Sequence, residues 1–331
     1  MKKKRTKKRL TLFAHWDPDD LIDETVISYL KEIKKFSDIV FSSDCNLPDF
    51  EIGKIQELVI EKNIGKHGEY DFGSYKRAYL KAGNIIKKYD EMILANDSCY
   101  GGFTSFRPLF ETMETREDLD YWGIVEYTDK IILNRCHLQS FFILLNRDIF
   151  TSEVFYRFIN NIQKQKSKLQ TIKEYEIGLS VLLEEAGYKR GAYIRHNANN
   201  ICYRTEALDL VTKANLPLIK RALLAENPYD DSKLFETFRS LPINVKDKAL
   251  ILNHLNRFTA GRYVNNSFFP LMGGTFLHRR ILRWKLRSNS VLIYISVKFF
   301  GITLAYLPLR KTPTNNQIIK IIHKDINPTS K

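Results

Sequence analysis

Cysteine is scarce in this sequence. Cys45, Cys99, Cys136 and Cys202 stand far apart and form no CxxC pair, which excludes a zinc ribbon, a redox dithiol and a disulfide framework. Thiols so placed are read as reduced, and the expected compartment is the cytoplasm. The sequence also lacks GxxxxGK(S/T), a GxGxxG between strand and helix, HExxH and GxSxG. P-loop nucleotidases, classical dehydrogenases, zinc peptidases and nucleophile-elbow hydrolases are thereby excluded. No apolar stretch long enough for a signal peptide follows the basic start, because residues 10–14 run straight into His15-Trp16-Asp17. With 15 Gly and 10 Pro against 21 Phe and 17 Tyr in 331 residues, the chain is neither linker-like nor disordered wholesale. Its length predicts one main domain and an appendage of roughly 80–100 residues.

What is abundant is positive charge, and it sits at the ends. The formal charge is +14; residues 1–9 carry +7 and residues 251–331 carry +12, leaving the stretch between mildly acidic at −5. Basic ends of this kind meet an anionic surface, either nucleic acid or the cytoplasmic leaflet of a membrane. An acidic centre without any nucleic-acid-binding signature argues against the first. Residues 291–309 form an apolar run interrupted by Lys298, Gly301 and Pro308 and preceded by Arg279, Arg280, Arg283, Lys285 and Arg287. An interfacial amphipathic segment is the preferred reading; a transmembrane helix and a buried helix or strand pair are the alternatives.

Along the chain, residues 10–16 predict a strand that ends in Asp17-Pro18-Asp19-Asp20, a helix start, with Ile22, Val26, Leu30 and Ile33 on one helix face. Strands are predicted at 39–41, 57–60, 91–95, 121–126 and 138–145, and helices at 74–89, 107–114, 151–163 and 174–186. The alternation predicts an α/β fold with a mostly parallel sheet and helices on both faces. Ligands of such sheets bind outside the carboxyl ends of the strands. His15, Trp16, Asp44, Asn96, Asp97 and Ser98 all fall at such ends.

Residues 93–102, ILANDSCYGG, carry a carboxylate and a hydroxyl off an apolar strand and turn the chain with a Gly pair. Asp97 can ligate a divalent cation that bridges a diphosphate, although Asn-Asp-Ser is as often a plain turn. Asp71 is placed either near a nucleoside or at a helix N-cap. Glu176 is read in the first turn of a helix, where it is a general base if it faces the cleft and a partner of the helix dipole if not. Trp122, His137 and Gln139 can grip an acceptor or sugar ring, or pack at strand ends.

These segments resemble the rhamnan synthesis protein F family, bacterial polysaccharide glycosyltransferases of the GT-A fold. The resemblance rests on YDFGSY (70–75), NDSCYGG (96–102), DYWG (120–123), HLQSFF (137–142), YEIGLSVLLEEAGY (175–188) and NLPLIKRALLAENP (215–228), in that order. It implies that Asp97, beside Asn96 and Ser98, holds the metal and diphosphate, and that Asp71 lies in the nucleoside region with His15 and Trp16. It also implies that Glu176 is the base of an inverting transfer and that Lys220 and Arg221 reach the leaving diphosphate. A GT-A-like catalytic domain is expected over 10–235, after a basic tail at 1–9 and before a basic, partly helical, membrane-associating region at 236–331. The expected donor is a dTDP- or UDP-sugar, rhamnose by the family's name, with Mn or Mg. The expected acceptor is a lipid-linked cell-surface polysaccharide at the inner face of the cell membrane. Two features depart from the common pattern: a single acid in Asn-Asp-Ser, and Tyr175 in place of the first acid of the later pair. They leave a non-catalytic scaffold as the rival reading and admit Lys220, Arg221 or His196 as substitute cations.

Overall fold

The computed structural model describes residues 7–129, 135–194, 200–229, 231–259, 280–287, 290–299 and 302–309. β1 (Arg9–His15) is buried at every position, as an interior strand of a sheet covered on both faces must be. A turn with Asp20 in the left-handed region leads to α1 (Glu24–Ile33), capped by Asp23 accepting from the Thr25 N–H. β2 (Asp38–Ser43), α2 (Asp49–Gly53), β3 (Glu61–Ile64) and α3 (Tyr70–Ala82) follow. A 3-10 turn, Gly83–Lys88, then leads to β4 (Glu91–Asn96) and the two-residue β5 (Cys99–Tyr100). Next come α4 (Arg107–Met113), β6 (Tyr121–Asp129), β7 (Arg135–Leu138), β8 (Phe142–Asn146), α5 (Arg147–Phe150) and α6 (Glu153–Asn160). α7 (Lys168–Thr171) passes through a π-helical turn, Ile172–Ile177, into α8 (Gly178–Glu185) and then β9 (Arg190–Ile194). α9 (Glu206–Lys213), β10 (Ile219–Lys220), α10 (Arg221–Glu226), α11 (Leu234–Ser240) and α12 (Val245–Thr259) come after it. β11 (Arg280–Arg287), β12 (Ser290–Phe299) and β13 (Ile302–Leu309) pair antiparallel among themselves.

The central sheet runs β3-β2-β1-β4-β8-β6-β7, with β9 also on β6. β3, β2, β1 and β4 are parallel, β9 is parallel to β6, and β8 lies antiparallel between β4 and β6. This is the mixed α/β architecture with a mostly parallel sheet expected from the sequence. Side chains alternate along the strands. Leu10, Leu12, Met92, Leu94, Ile143 and Leu145 pack under α3, α6 and α8, while Phe13, Ile93, Phe142 and Leu144 pack under α1 and α4. Register aligns Ala14 with Asn96 and His15 with Ser43, so three strands end level at one edge.

Local differences from the sequence reading have physical causes. Residues 57–60 lie in turns and the third strand is Glu61–Ile64, polar because an edge strand can leave its side chains in water. The helix expected over 74–89 starts at Tyr70 and breaks at Gly83, whose φ is 51°. The strand expected over 138–145 divides in two, because the Ser140 N–H bonds to Glu176 and not to a neighbouring strand. The helix expected from Glu174 begins at Lys168, behind a Ser167 cap. Residues 291–309 fall largely in β12 and β13, consistent with their β-branched and aromatic content, so of the secondary structures considered for this run the strand pair is the one found. Among the described residues no helix is long and apolar enough to cross a membrane. The boundary expected at 235 falls within α11, whose Leu234 and Phe238 share a buried cluster with Leu208, Leu223, Leu224, Ile251 and Leu255.

Candidate functional site

The carboxyl edge of the sheet gathers most of the residues singled out in the sequence. Asp97 follows β4, and its N–H donates to Ala14 O (3.2 Å). Its Oδ2 accepts from the Trp16 N–H (3.1 Å) and lies 3.4 Å from Arg221 Nη1 and 3.9 Å from His15 Nε2. His15 is held through Nδ1 on Ser43 Oγ (2.9 Å). Burial lowers its pKa against the opposing pull of Asp97, so the ring is neutral at pH 7. Trp16 is 48% exposed, an open aromatic face beside the carboxylate. Asn96 Oδ1 accepts from the Ser98 N–H (3.1 Å) and Ser98 Oγ (2.5 Å), so Asn-Asp-Ser forms a turn held by its own side chains.

A strand pairing brings in the cations. β10 lies antiparallel to β5, with Lys220 opposite Cys99. Lys220 Nζ donates to Ser98 Oγ (2.8 Å) and sits 4.6 Å from the Phe141 ring centroid and 5.9 Å from that of Tyr203. Burial disfavours its charge, but Cys99, Tyr203, Glu176 and Asp71 outweigh this and hold the ammonium above the usual lysine range. Arg221 lies over the Tyr100 ring at 5.6 Å, with Nε buried and unpartnered among the described residues.

The acids on the other side are reached from α3 and the π-helical turn. Asp71, in the first turn of α3, accepts from Asn96 Nδ2 (2.8 Å). Burial pushes its carboxyl up to about 6, and Asp97 and Glu176 add to the rise while Lys220 opposes it. One group therefore feels both of the distant acids. Glu176 lies within the π-helical turn, a local widening of the helix frequent at functional sites, and not in a helix first turn as expected. Its Oε2 accepts from the Ser140 N–H (2.9 Å) and from the Ser140 hydroxyl, and its Oε1 is 3.5 Å from His137 Nε2. Burial alone would raise its pKa, but His137 and Ser140 hold it below the usual glutamate range. Tyr75 links the halves, its hydroxyl donating to Ser140 O (2.9 Å) while Asp71 and Glu176 both act on it.

Some expected residues have other work. Trp122 is corrected from a sugar contact to a core residue, packed against Phe110 and Phe142. Asp44 accepts from the N–H groups of His67 (2.5 Å) and Gly68 (3.0 Å), so its carboxylate shapes the 65–69 loop. Tyr175, in the place of a first acid, is buried against Phe72 and Phe158. Gln139, next in sequence to Ser140, is buried with Oε1 unpartnered among the described residues. His196 lies outside the described residues. Ser140, Tyr75, Tyr203 and Arg257 were not found from the sequence. Ser140 stood in a noted motif, whereas Arg257 has no local signal, since its partner Asp17 is 240 residues away.

A divalent cation would meet Asp97 here, with Oδ2 engaged by the Trp16 N–H, and Asp71 close enough to feel its charge, with Oδ2 engaged by Asn96. Among the described residues no group of three His, Cys, Asp or Glu could hold a metal. Magnesium bound through one carboxylate, phosphates and water needs no such cage. The residues thus suit a cation that arrives with its diphosphate.

The family model for rhamnan synthesis protein F matches residues 39–270, more than half of the chain. The chain belongs to the rhamnan synthesis protein F family. The matched span takes in Asp71, Asp97, Glu176, Lys220 and Arg221 of the family member described here. Among curated proteins no sequence matches. Solved structures of similar fold include core-mannan synthase A from Aspergillus fumigatus in its Mn/GDP form, at 14% identity over 54% of this chain and 71% of that one, TM-score 0.31. A cytidylyltransferase from Leptospira borgpetersenii matches at 11% identity over 75% and 98%, TM-score 0.39, and TarS from S. aureus at 10% over 77% and 73%, TM-score 0.33. At such identities and scores the likeness says nothing of substrate or residue roles.

Proposed function

We propose that the protein is an inverting glycosyltransferase that moves a sugar, rhamnose by the family's name, from a dTDP- or UDP-sugar to a lipid-linked cell-surface polysaccharide. The observation that carries this reading is the placement of Asp71 and Lys220, each under the influence of Glu176 on one side and of the Asn96–Ser98 turn on the other. The groups read as diphosphate-binding and the candidate base are thus within electrostatic reach of one another, which supports the reading.

In this scheme Glu176, ionised and fixed by Ser140 and His137, accepts the proton of the acceptor hydroxyl as that oxygen attacks the anomeric carbon. The bond to the nucleoside diphosphate breaks on the opposite face, and Arg221 and Lys220 take up the charge that develops there. Asp97 orients Arg221 and is the residue that would hold Mn or Mg, whose contribution is to neutralise the diphosphate oxygens. Trp16 offers a stacking surface to the nucleoside or sugar, with His15 behind it. His137 and Gln139 border the acceptor side.

A lipid-linked acceptor would bring the enzyme to the inner face of the membrane, and the basic ends of the sequence suit that surface. A thermal-shift screen of nucleotide sugars with added Mn or Mg tests the reading, because a ligand that binds the native state raises its stability. One dTDP- or UDP-sugar should raise the melting temperature by several degrees. Uniform silence across the panel would point to the scaffold reading.

A further inference from the structure

We propose that Arg257, near the end of α12, is a positioning residue of the donor site, through which the C-terminal helix sets the loop that carries Trp16. This rests on the assignment of the carboxyl edge as the donor site. One guanidinium meets three aspartates on residues 17–23: Nη2 lies 2.7 Å from Asp17 Oδ2 and 3.1 Å from Asp23 Oδ2, and Nη1 lies 3.1 Å from Asp17 Oδ1 and 2.8 Å from Asp19 Oδ2. These aspartates are not equivalent. Asp17 is buried and directly follows Trp16, whose N–H holds Asp97. Asp23 is the cap of α1 and so belongs to the rigid body of the fold. Arg257 therefore ties Asp17, at the start of the turn, to the Asp23 cap of α1, at the point where β1 hands the chain over to the site.

The same helix braces the site from the opposite flank. His254, one turn earlier, is buried with Nδ1 2.8 Å from the Tyr100 hydroxyl, and Tyr100 carries Arg221 over its ring. α12 thus supports the two groups that flank Asp97, the Trp16 backbone and the Arg221 side chain. The charge arrangement explains why arginine is needed. Without it three carboxylates, one of them buried, face each other across one turn, and their repulsion is relieved by opening residues 16–20. Lysine keeps the charge but cannot span three acceptors with one planar fork.

The test uses the full chain as wild type, Arg257→Ala and Arg257→Lys, with Asp19→Asn as a mild variant that folds if Arg257→Ala does not. Hydrogen exchange over residues 16–23 is measured without ligand, and UDP and dTDP affinity with manganese is measured by calorimetry. Loss of the guanidinium should speed exchange over 16–23 while leaving α3 protected, and should weaken nucleotide affinity ~10-fold, the usual scale of a lost charged hydrogen bond. Arg257→Lys should lie between, and Asp19→Asn should shift both readouts slightly in the same direction. Unchanged exchange in Arg257→Ala, or faster exchange with unchanged affinity, would overturn the proposal. If the wild type binds neither nucleotide, the donor-site assignment fails instead, and the exchange readout alone decides whether α12 sets this loop.

Discussion

Asp71 and Glu176 are carboxyls within electrostatic reach of one another, and their surroundings shift them in opposite directions. Glu176 is tied to three donors or near-donors and held low; Asp71 has Asn96 as its hydrogen-bond donor, feels two neighbouring acids, and is pushed up to about 6. The folded state therefore binds a proton at Asp71 between about pH 4 and 6 that the unfolded chain has already released. Stability from this group falls as pH rises through that window and is flat above it. Asp71→Asn removes the cost of the buried charge. The variant should unfold at higher denaturant concentration than wild type at pH 8, by about 1–3 kcal/mol, with the gain vanishing by pH 4. Chemical denaturation at the two pH values checks this. Asp71, Asp97 and Glu176 were legible as residues in the sequence because each sits in a short polar motif off an apolar element. What each bonds to was not, since Ser140, His137 and Asn96 reach them across the fold.

At the scale of elements, the Gly pair that closes NDSCYGG is required by backbone and packing together. Gly102 has φ 87°, and a Cβ there would stand 2.3 Å from Ser28 O, while one on Gly101 would meet the Tyr29 ring at 2.8 Å. Gly102→Ala should destabilise by about 2–4 kcal/mol. Gly83→Ala, at φ 51° and ψ −132° but with nothing within 4 Å, should cost about 1–2 kcal/mol through backbone strain alone. Equal losses in urea denaturation would show that φ alone matters. Apolar strands such as β1 and β4 could be read from composition, because both their faces are buried. β3 could not, being a polar edge strand held by backbone pairing. Nor could the π-helical turn, since the residues around Glu176 keep an ordinary helical pattern.

For the whole molecule, the packed unit that carries the sheet edge extends past residue 235. Composition marked the chain's basic end correctly, but α12 carries Ile251 and Leu255 into a buried cluster and Arg257 onto the turn after β1. No charge count reveals a helix that packs back on the start of the chain. A chain cut after residue 235 should fail to fold cooperatively, whereas one cut after 275 should retain a sharp melting transition and nucleotide binding. If membrane association lies in the basic C-terminal stretch, the longer fragment should also lose its sedimentation with anionic vesicles. A cooperative transition in the 235 fragment would restore the earlier boundary.

The central claim is that Asp97 and Glu176 divide donor binding and proton removal within one site. Its most direct test is calorimetry of the responding nucleotide with manganese, paired with a transfer assay, on wild type, Asp97→Ala and Glu176→Gln. Asp97→Ala should weaken nucleotide binding ~10- to 100-fold, and Glu176→Gln should bind as wild type does while transferring no sugar. Full turnover by Glu176→Gln, or unaltered affinity in Asp97→Ala, would contradict it.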